Sequence, residues 1–180
     1  TTAGAISTEM TFDTAPFDCG LSVFNPDGTA LEYSTVFGGS NLDVPSSMVT
    51  DSQGAIYVLG TTGSSDFPIT AGAFDETFCG NGNLNLDACC NYPGGGGLPM
   101  GSSLFVMKFA PAAGGSNLES STFIGGCNGP SGVNRGDVLA YNYGDVFRGE
   151  INVDAQDRPW VASVTGASDF PVVIAPFPAY

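Results

Sequence analysis

Half of an eighteen-residue stretch recurs 103 residues further along this chain, and that duplication limits what the chain can fold into. Aligning Asp51 with Asp154, the stretch from Asp51 to Pro68 keeps Asp51, Gln53, Val58, Thr62, Gly63, Ser65, Asp66, Phe67 and Pro68. Chemistry survives where letters change: Tyr57 becomes Trp160 and Ile69 becomes Val172. A fixed internal repeat points to a structural unit used more than once. Within the unit, Ser47 to Thr50 and Ala55 to Thr61 are rich in β-branched and aromatic residues, and Asp51-Ser-Gln-Gly54 between them has turn chemistry. That pattern predicts a β-hairpin over 46–62 and a second over 149–165. Asp51 accepts amide hydrogen bonds two residues on, and Gly54 supplies the positive φ. In the copy, Asp154 caps and Asp157 replaces the glycine, a residue that tolerates the left-handed region. The Ser-Asp-Phe-Pro ends, carrying Asp66 and Asp169, stop the second strand of each hairpin, because proline lacks a donor and extends the residue before it.

A second pair of matching segments lies upstream of the hairpins. Leu31 to Gly39 (LEYSTVFGG) matches Leu118 to Gly126 (LESSTFIGG) at six of nine positions, and each follows an apolar run, Leu21 to Asn25 and Leu104 to Ala110. The order is therefore run, LE-ST-GG strand, hairpin, then the same again, with no helical periodicity. Four short antiparallel strands per unit describe a propeller-type blade. The combination of LEYSTVFGGS, VTDSQGAIYVLGTT, SSDFPIT followed by AGAF, LFVMKFAP and a second STFIGG resembles the seven-bladed β-propeller repeat (SBBP) family over roughly residues 18–78 and 102–175. The resemblance implies a secreted or surface-attached repeat protein of the kind common in Bacteroidota and often exported by type IX secretion. It also implies that enzymatic activity is not usual.

The expected fold is all-β, with about two blade equivalents: half a blade, a full blade made of the 46–62 hairpin and 104–126, then a half. A ring needs about 4–8 blades, so an incomplete or open propeller is expected, its sheet edges covered by other copies or further blades. Residues 1–17 are read as an edge strand or docking segment, 18–175 as blade repeats with inserts at 79–103 and 127–150, and 176–180 as a C-terminal arm. For a chain that starts at Thr1 without methionine, the expectation is a removed leader or a longer parent protein.

Charge and residue types narrow the function. A formal charge of −14, with only Lys108, Arg135, Arg148 and Arg158 as bases, repels nucleic acid and anionic lipid. No run approaches the ~18 apolar residues of a membrane span. With no histidine in the chain, Ser-His-Asp and Cys-His activation are excluded. A carboxylate-pair glycosidase needs no histidine, but the three arginines and the Asp51 turn do not reproduce the sialidase pattern. No enzyme and no cofactor are expected. Calcium is the one ion considered, at the acidic turns of Asp51, Asp137 and Asp145, against a reading of these carboxylates as hydrogen-bonded turn caps; the spaced EF-hand pattern is missing.

Five cysteines, Cys19, Cys79, Cys89, Cys90 and Cys127, without zinc-type Cys/His spacing, indicate an oxidising, extracellular or cell-surface setting. Adjacent Cys89 and Cys90 strain a mutual bridge, and the pairing expected is Cys79 with one of them. The Gly94 to Gly97 run lacks the lysine of a phosphate loop. In the 127–150 insert, Arg135, Tyr141, Tyr143, Phe147 and Arg148 interleave aromatic and charged side chains, which suits either a sugar- or protein-binding loop or plain packing on a blade. Taken together, the expectation is a non-enzymatic extracellular structural or adhesive repeat protein that assembles with itself, as a filament or surface layer, or with further blades. The alternative is a carbohydrate-binding module using the 127–150 loop.

Overall fold

The structure is a computed structural model; it describes residues 5–6, 18–80, 103–112, 115–127, 140–142, 145–163, 165 and 167–172. Ten strands are assigned among them: β1 (Cys19–Phe24), β2 (Leu31–Phe37), β3 (Asp43–Thr50), β4 (Ile56–Thr62), β5 (Ser103–Ala112), β6 (Gly115–Ile124), β7 (Ala140–Asn142), β8 (Asp145–Arg148), β9 (Glu150–Val153) and β10 (Pro159–Ala162). No described residue is helical. β3, β4, β5 and β6 form one four-stranded antiparallel sheet in that order. β1 pairs with β2, and β9 with β10, as two-stranded sheets on either side of it. The half, full, half sequence of blades expected from the repeats is therefore present, and the fold is an all-β, open propeller-type array.

The two end sheets are structural repeats of the two halves of the central sheet. In β1–β2 Cys19 faces Phe37 and in β5–β6 Leu104 faces Ile124, and both ladders slip at the same point, between Val23 and Phe24 in one and between Lys108 and Phe109 in the other. In β3–β4 Thr50 faces Ile56 and in β9–β10 Val153 faces Pro159, which is the 103-residue shift of the sequence repeat. β3 carries its own irregularity around Ser46. Its counterpart is Gly149, which separates β8 from β9. β8 therefore stands where β3 begins, and pairs with β7 in a hairpin inside a stretch read above as loop. Asp43-Val44 and Asp145-Val146 are the trace of this in the sequence, one residue out of register with the 103-residue shift.

β4 is buried at every position, since an inner blade strand has a sheet on each face. On one face Phe105, Met107, Phe109, Ile56 and Val58 pack against Leu21, Tyr33 and Phe37 of β1–β2. Phe67, from the Ser-Asp-Phe-Pro motif, wedges into this layer with its ring stacked on Phe105 at 4.4 Å and edge-on to Phe37 at 6.4 Å. On the other face Tyr57, Leu59, Leu104 and Val106 pack against Ile151 of β9. Removing a ring such as Phe105, which is wholly buried, would cost about 3–5 kcal/mol.

After Pro68 the chain runs along the outer edge of β6. The Thr70 amide and hydroxyl donate to the Ser121 carbonyl, at 3.1 Å each, and the Phe123 amide donates to the Asp75 carbonyl at 3.0 Å. This covers one exposed ladder edge with the protein's own backbone. Thr122 Oγ1 also accepts the Asp75 amide (2.9 Å), just as its counterpart Thr35 Oγ1 accepts the Ile6 amide (2.8 Å). Ile6 thus docks on β2 as Asp75 docks on β6. In sequence Thr2-Ala-Gly-Ala-Ile6 matches Thr70-Ala-Gly-Ala-Phe74, which pairs Ile6 with the residue before Asp75.

Candidate interaction surface

The repeat-defining residues build two features that tie one element to the next, and a third feature is left open. The first is the pair of hairpin turns. Asp51 Oδ1 accepts the amides of Gln53 (2.9 Å) and Ala55 (2.8 Å), and Asp154 Oδ1 accepts those of Gln156 (2.9 Å) and Arg158 (3.0 Å). Gly54 has φ 81° and Asp157 φ 58°, so the aspartate takes the left-handed position as expected. Asp157 has a second use. Its carboxylate accepts the Ser52 amide (2.9 Å) and hydroxyl (2.7 Å), and its carbonyl accepts the Tyr57 hydroxyl at 3.4 Å, clasping the end turn to the central blade. The Ser52 amide and hydroxyl hold the Asp157 carboxyl below the usual carboxylate range. Asp154 is lowered as well, first by the Trp160 indole N–H, 3.0 Å from Oδ2, and then by Arg158, whose guanidinium lies 2.6 Å from the same oxygen.

The second feature is a latch present in both copies. Asp66 accepts the Ser40 amide (2.8 Å) and, on its other oxygen, the Ser40 hydroxyl. Asp169 accepts the Cys127 amide at 3.2 Å, and Cys127 is the counterpart of Ser40. The latch explains the glycines before each: a Cβ on Gly39 would stand 2.5 Å from Asp66 Oδ1, and one on Gly126 2.5 Å from Asp169 Oδ1. So the Gly-Gly end of an outer strand and the Ser-Asp-Phe-Pro end of the following hairpin are one device. Cys127 keeps the latch with its backbone and spends its sulfur elsewhere, in a disulfide with Cys79. The expected pairing of Cys79 with Cys89 or Cys90 is thereby corrected. The turn-containing run of residues 70–75, bonded to β6 through Thr70 and Asp75, carries Cys79 to the end of that strand, where Cys127 waits with 4.7 Å between Cα atoms. Closing a separation of 48 residues stabilises by about 4 kcal/mol in chain-entropy terms. Cys19 is a buried free thiol, its pKa pushed up by burial and then by the charges of Asp43 and Asp18.

The third feature is what the end sheets leave uncovered. Positions related by the repeat differ sharply in exposure. Met48 is 56% exposed where its counterpart Ile151 is 5% exposed, Trp160 51% where Tyr57 is 6%, and Phe24 59% where Phe109 is 0%. The buried member of each pair has a neighbouring blade over it. The bare member has none among the described residues. Beside the outer edge of β1 an apolar cleft of about 270 Å³ opens, lined by Gly20, Leu21, Phe37, Val58 and the Pro45–Met48 run of β3.

The remaining residues singled out in the sequence do not join this surface. Cys89, Cys90, Arg135 and Tyr143 lie outside the described residues; Tyr141 falls in β7 and Phe147 and Arg148 in β8, with their side chains outside the description. Among the described residues, no three acidic or thiol groups converge to hold a metal ion. Asp51 uses its carboxylate as a turn cap. No helix among the described residues is long and apolar enough to cross a membrane. Exposure differences between repeat partners could not be read from the sequence, because Met48 and Ile151 carry the same apolar signal.

Comparison with known proteins bears on the same elements. Residues 32–68 match the family model of the β-propeller repeat, SBBP. The match takes in β2, the Gly39–Asp66 latch, the β3–β4 hairpin and Pro68, so one family unit spans the outer strand of one blade and the inner hairpin of the next. No curated protein and no solved structure matches the chain.

Proposed function

We propose that this chain is a non-enzymatic, extracellular structural module that works by completing its half blades with further blades, foremost those of other copies of itself. The observation that carries this reading is that Met48, Trp160 and Phe24 are bare where no further blade stands over them among the described residues, while their repeat partners Ile151, Tyr57 and Phe109 are buried against a neighbouring blade. Apolar side chains of this size on open sheet faces mark association surfaces. The β-propeller repeat is generally a non-catalytic unit, and a chain without histidine lacks the commonest general base. The Cys79–Cys127 bridge suits an oxidising compartment. Sedimentation velocity on the purified chain tests the proposal. The weight-average mass should rise steadily with protein concentration and fall again on dilution. A mass fixed at that of one chain at every concentration would refute self-association.

A further inference from the structure

We infer that two copies join by building one blade between them, with β9 and β10 of one chain and β1 and β2 of the next forming a four-stranded sheet. This inference rests on the self-association reading above and names its partner and geometry. β9–β10 is the β3–β4 half of a blade, and β1–β2 is the β5–β6 half, down to the shared slip in the ladder. In the complete blade the two halves meet through β4 and β5, with Val58 opposite Met107, Tyr57 opposite Lys108 and Ile56 opposite Phe109. Among the described residues, no strand pairs with the corresponding edges of β10 and β1. Carrying the β4–β5 register across by the two repeat shifts puts Val161 opposite the partner's Ser22, Trp160 opposite the partner's Val23 and Pro159 opposite the partner's Phe24.

Three observations fit this junction. The cleft beside β1 runs between that edge and Pro45–Met48 of β3, where an incoming β9–β10 hairpin would lie against β3 as β9 lies against the central blade within one chain. It would cover Met48 as Ile151 is covered. Side-chain sizes agree as well. Gly60 admits the Phe105 ring opposite it, and a Cβ there would stand 2.3 Å from that ring; at the junction the sizes are exchanged, with Ser163 opposite the partner's Gly20, whose Cβ position is open space. Finally, the hydrogen-bonding phase is right. Counting from the Asp154 amide bonded to the Arg158 carbonyl (3.1 Å), an antiparallel ladder alternates so that the Val161 amide points away from β9 and Pro159 occupies another outward position. Proline on that side removes no bond from the β9–β10 ladder and forfeits only the terminal bond of the junction.

The test uses two full-length variants that each blunt one edge. Val161→Pro removes an outward donor of β10, and Ser22→Pro removes its counterpart on β1. Each variant alone should self-associate about tenfold or more weakly than the parent chain, whereas an equimolar mixture should form a one-to-one dimer and grow no further. If the parent associates and both variants associate just as well, or if the mixture stays monomeric, the shared blade is wrong while self-association stands. If the parent itself stays monomeric at every concentration, both fall. Should either variant fold poorly by circular dichroism, the unaltered protein still decides the matter, because Trp160 is the chain's single tryptophan. Its emission should move to the blue in step with the mass as the next copy covers it. Emission that stays put while the mass grows would overturn the junction.

Discussion

Asp157 and Gly54 occupy the same turn position in the two hairpins, and the comparison separates what a residue does for its own loop from what it does for its neighbour. Both hold a left-handed backbone, but only the aspartate reaches across to Ser52. The turn role was legible in the sequence because an aspartate cap and a positive-φ residue act within four positions. The clasp was not, since Ser52 is 105 residues away. Asp43 makes the same point more strongly. As the first residue of β3 it is buried, with Oδ2 accepting the Gly39 amide (2.7 Å) and the Ser64 hydroxyl (3.0 Å) and Oδ1 without a partner among the described residues. Burial raises its pKa to about 6, against the hydrogen bonds that favour its charge. A folded-state value above the unfolded one means the native protein binds more protons between those two values. Asp43 therefore contributes stability that is full below about pH 4 and is lost as pH rises through about 6. Denaturant unfolding at pH about 4 and about 7 should show a loss on the order of 2–3 kcal/mol from this group, which Asp43→Asn abolishes. Asp66, Asp154 and Asp157 do not blur that window. Their lowered values place the pH dependence they add in the acid range, where their stabilisation disappears as pH falls.

At the scale of strands, β4 decides how closely the central blade packs. Its Gly60 lies under the Phe105 ring, and an added Cβ would also come 2.5 Å from the Val44 carbonyl. Backbone cannot yield as a flexible side chain can, so Gly60→Ala should destabilise by about 2–4 kcal/mol in thermal or denaturant unfolding. Gly20→Ala, in the equivalent sheet and facing open space, should change stability by no more than about 0.5 kcal/mol. Equal effects from the two would show that the Phe105 approach is not tight. Most strands were legible because alternating apolar residues and Gly, Pro and Asp punctuation are local signals, and the order β3-β4-β5-β6 followed from the repeated run of motifs. β7 and β8 escaped notice because Asp145-Val146 stands one residue out of step with Asp43-Val44 in the 103-residue repeat. The Cys79–Cys127 bridge escaped for a different reason: its partners are chosen by how residues 70–75 lie along β6, and no spacing rule encodes that.

At the scale of the whole molecule, the described residues place the four-stranded blade between two half blades, β1–β2 and β9–β10, with the β7–β8 hairpin as a fourth sheet. The open array was legible from counting repeats, but the particular side chains that the open ends leave bare emerged only from comparing exposure at repeat-related positions. Each copy carries a formal charge of −14, so copies repel at long range, and the proposed self-association has to overcome that repulsion at contact. Raising ionic strength shortens the screening length from about 30 Å at 0.01 M to about 8 Å at 0.15 M. Self-association should accordingly strengthen several-fold over that range in sedimentation experiments, and weakening with added salt would point to a polar, charge-paired interface instead. The Ser52–Asp157 clasp carries one more implication for a row of such molecules. Where one copy follows another, Ala155 would face the partner's Gly54, and neither has the hydroxyl or carboxylate to fasten that seam. A fibre made this way would be riveted within each subunit and merely pressed together between them, so pulling on it would separate intact molecules before any of them unravelled.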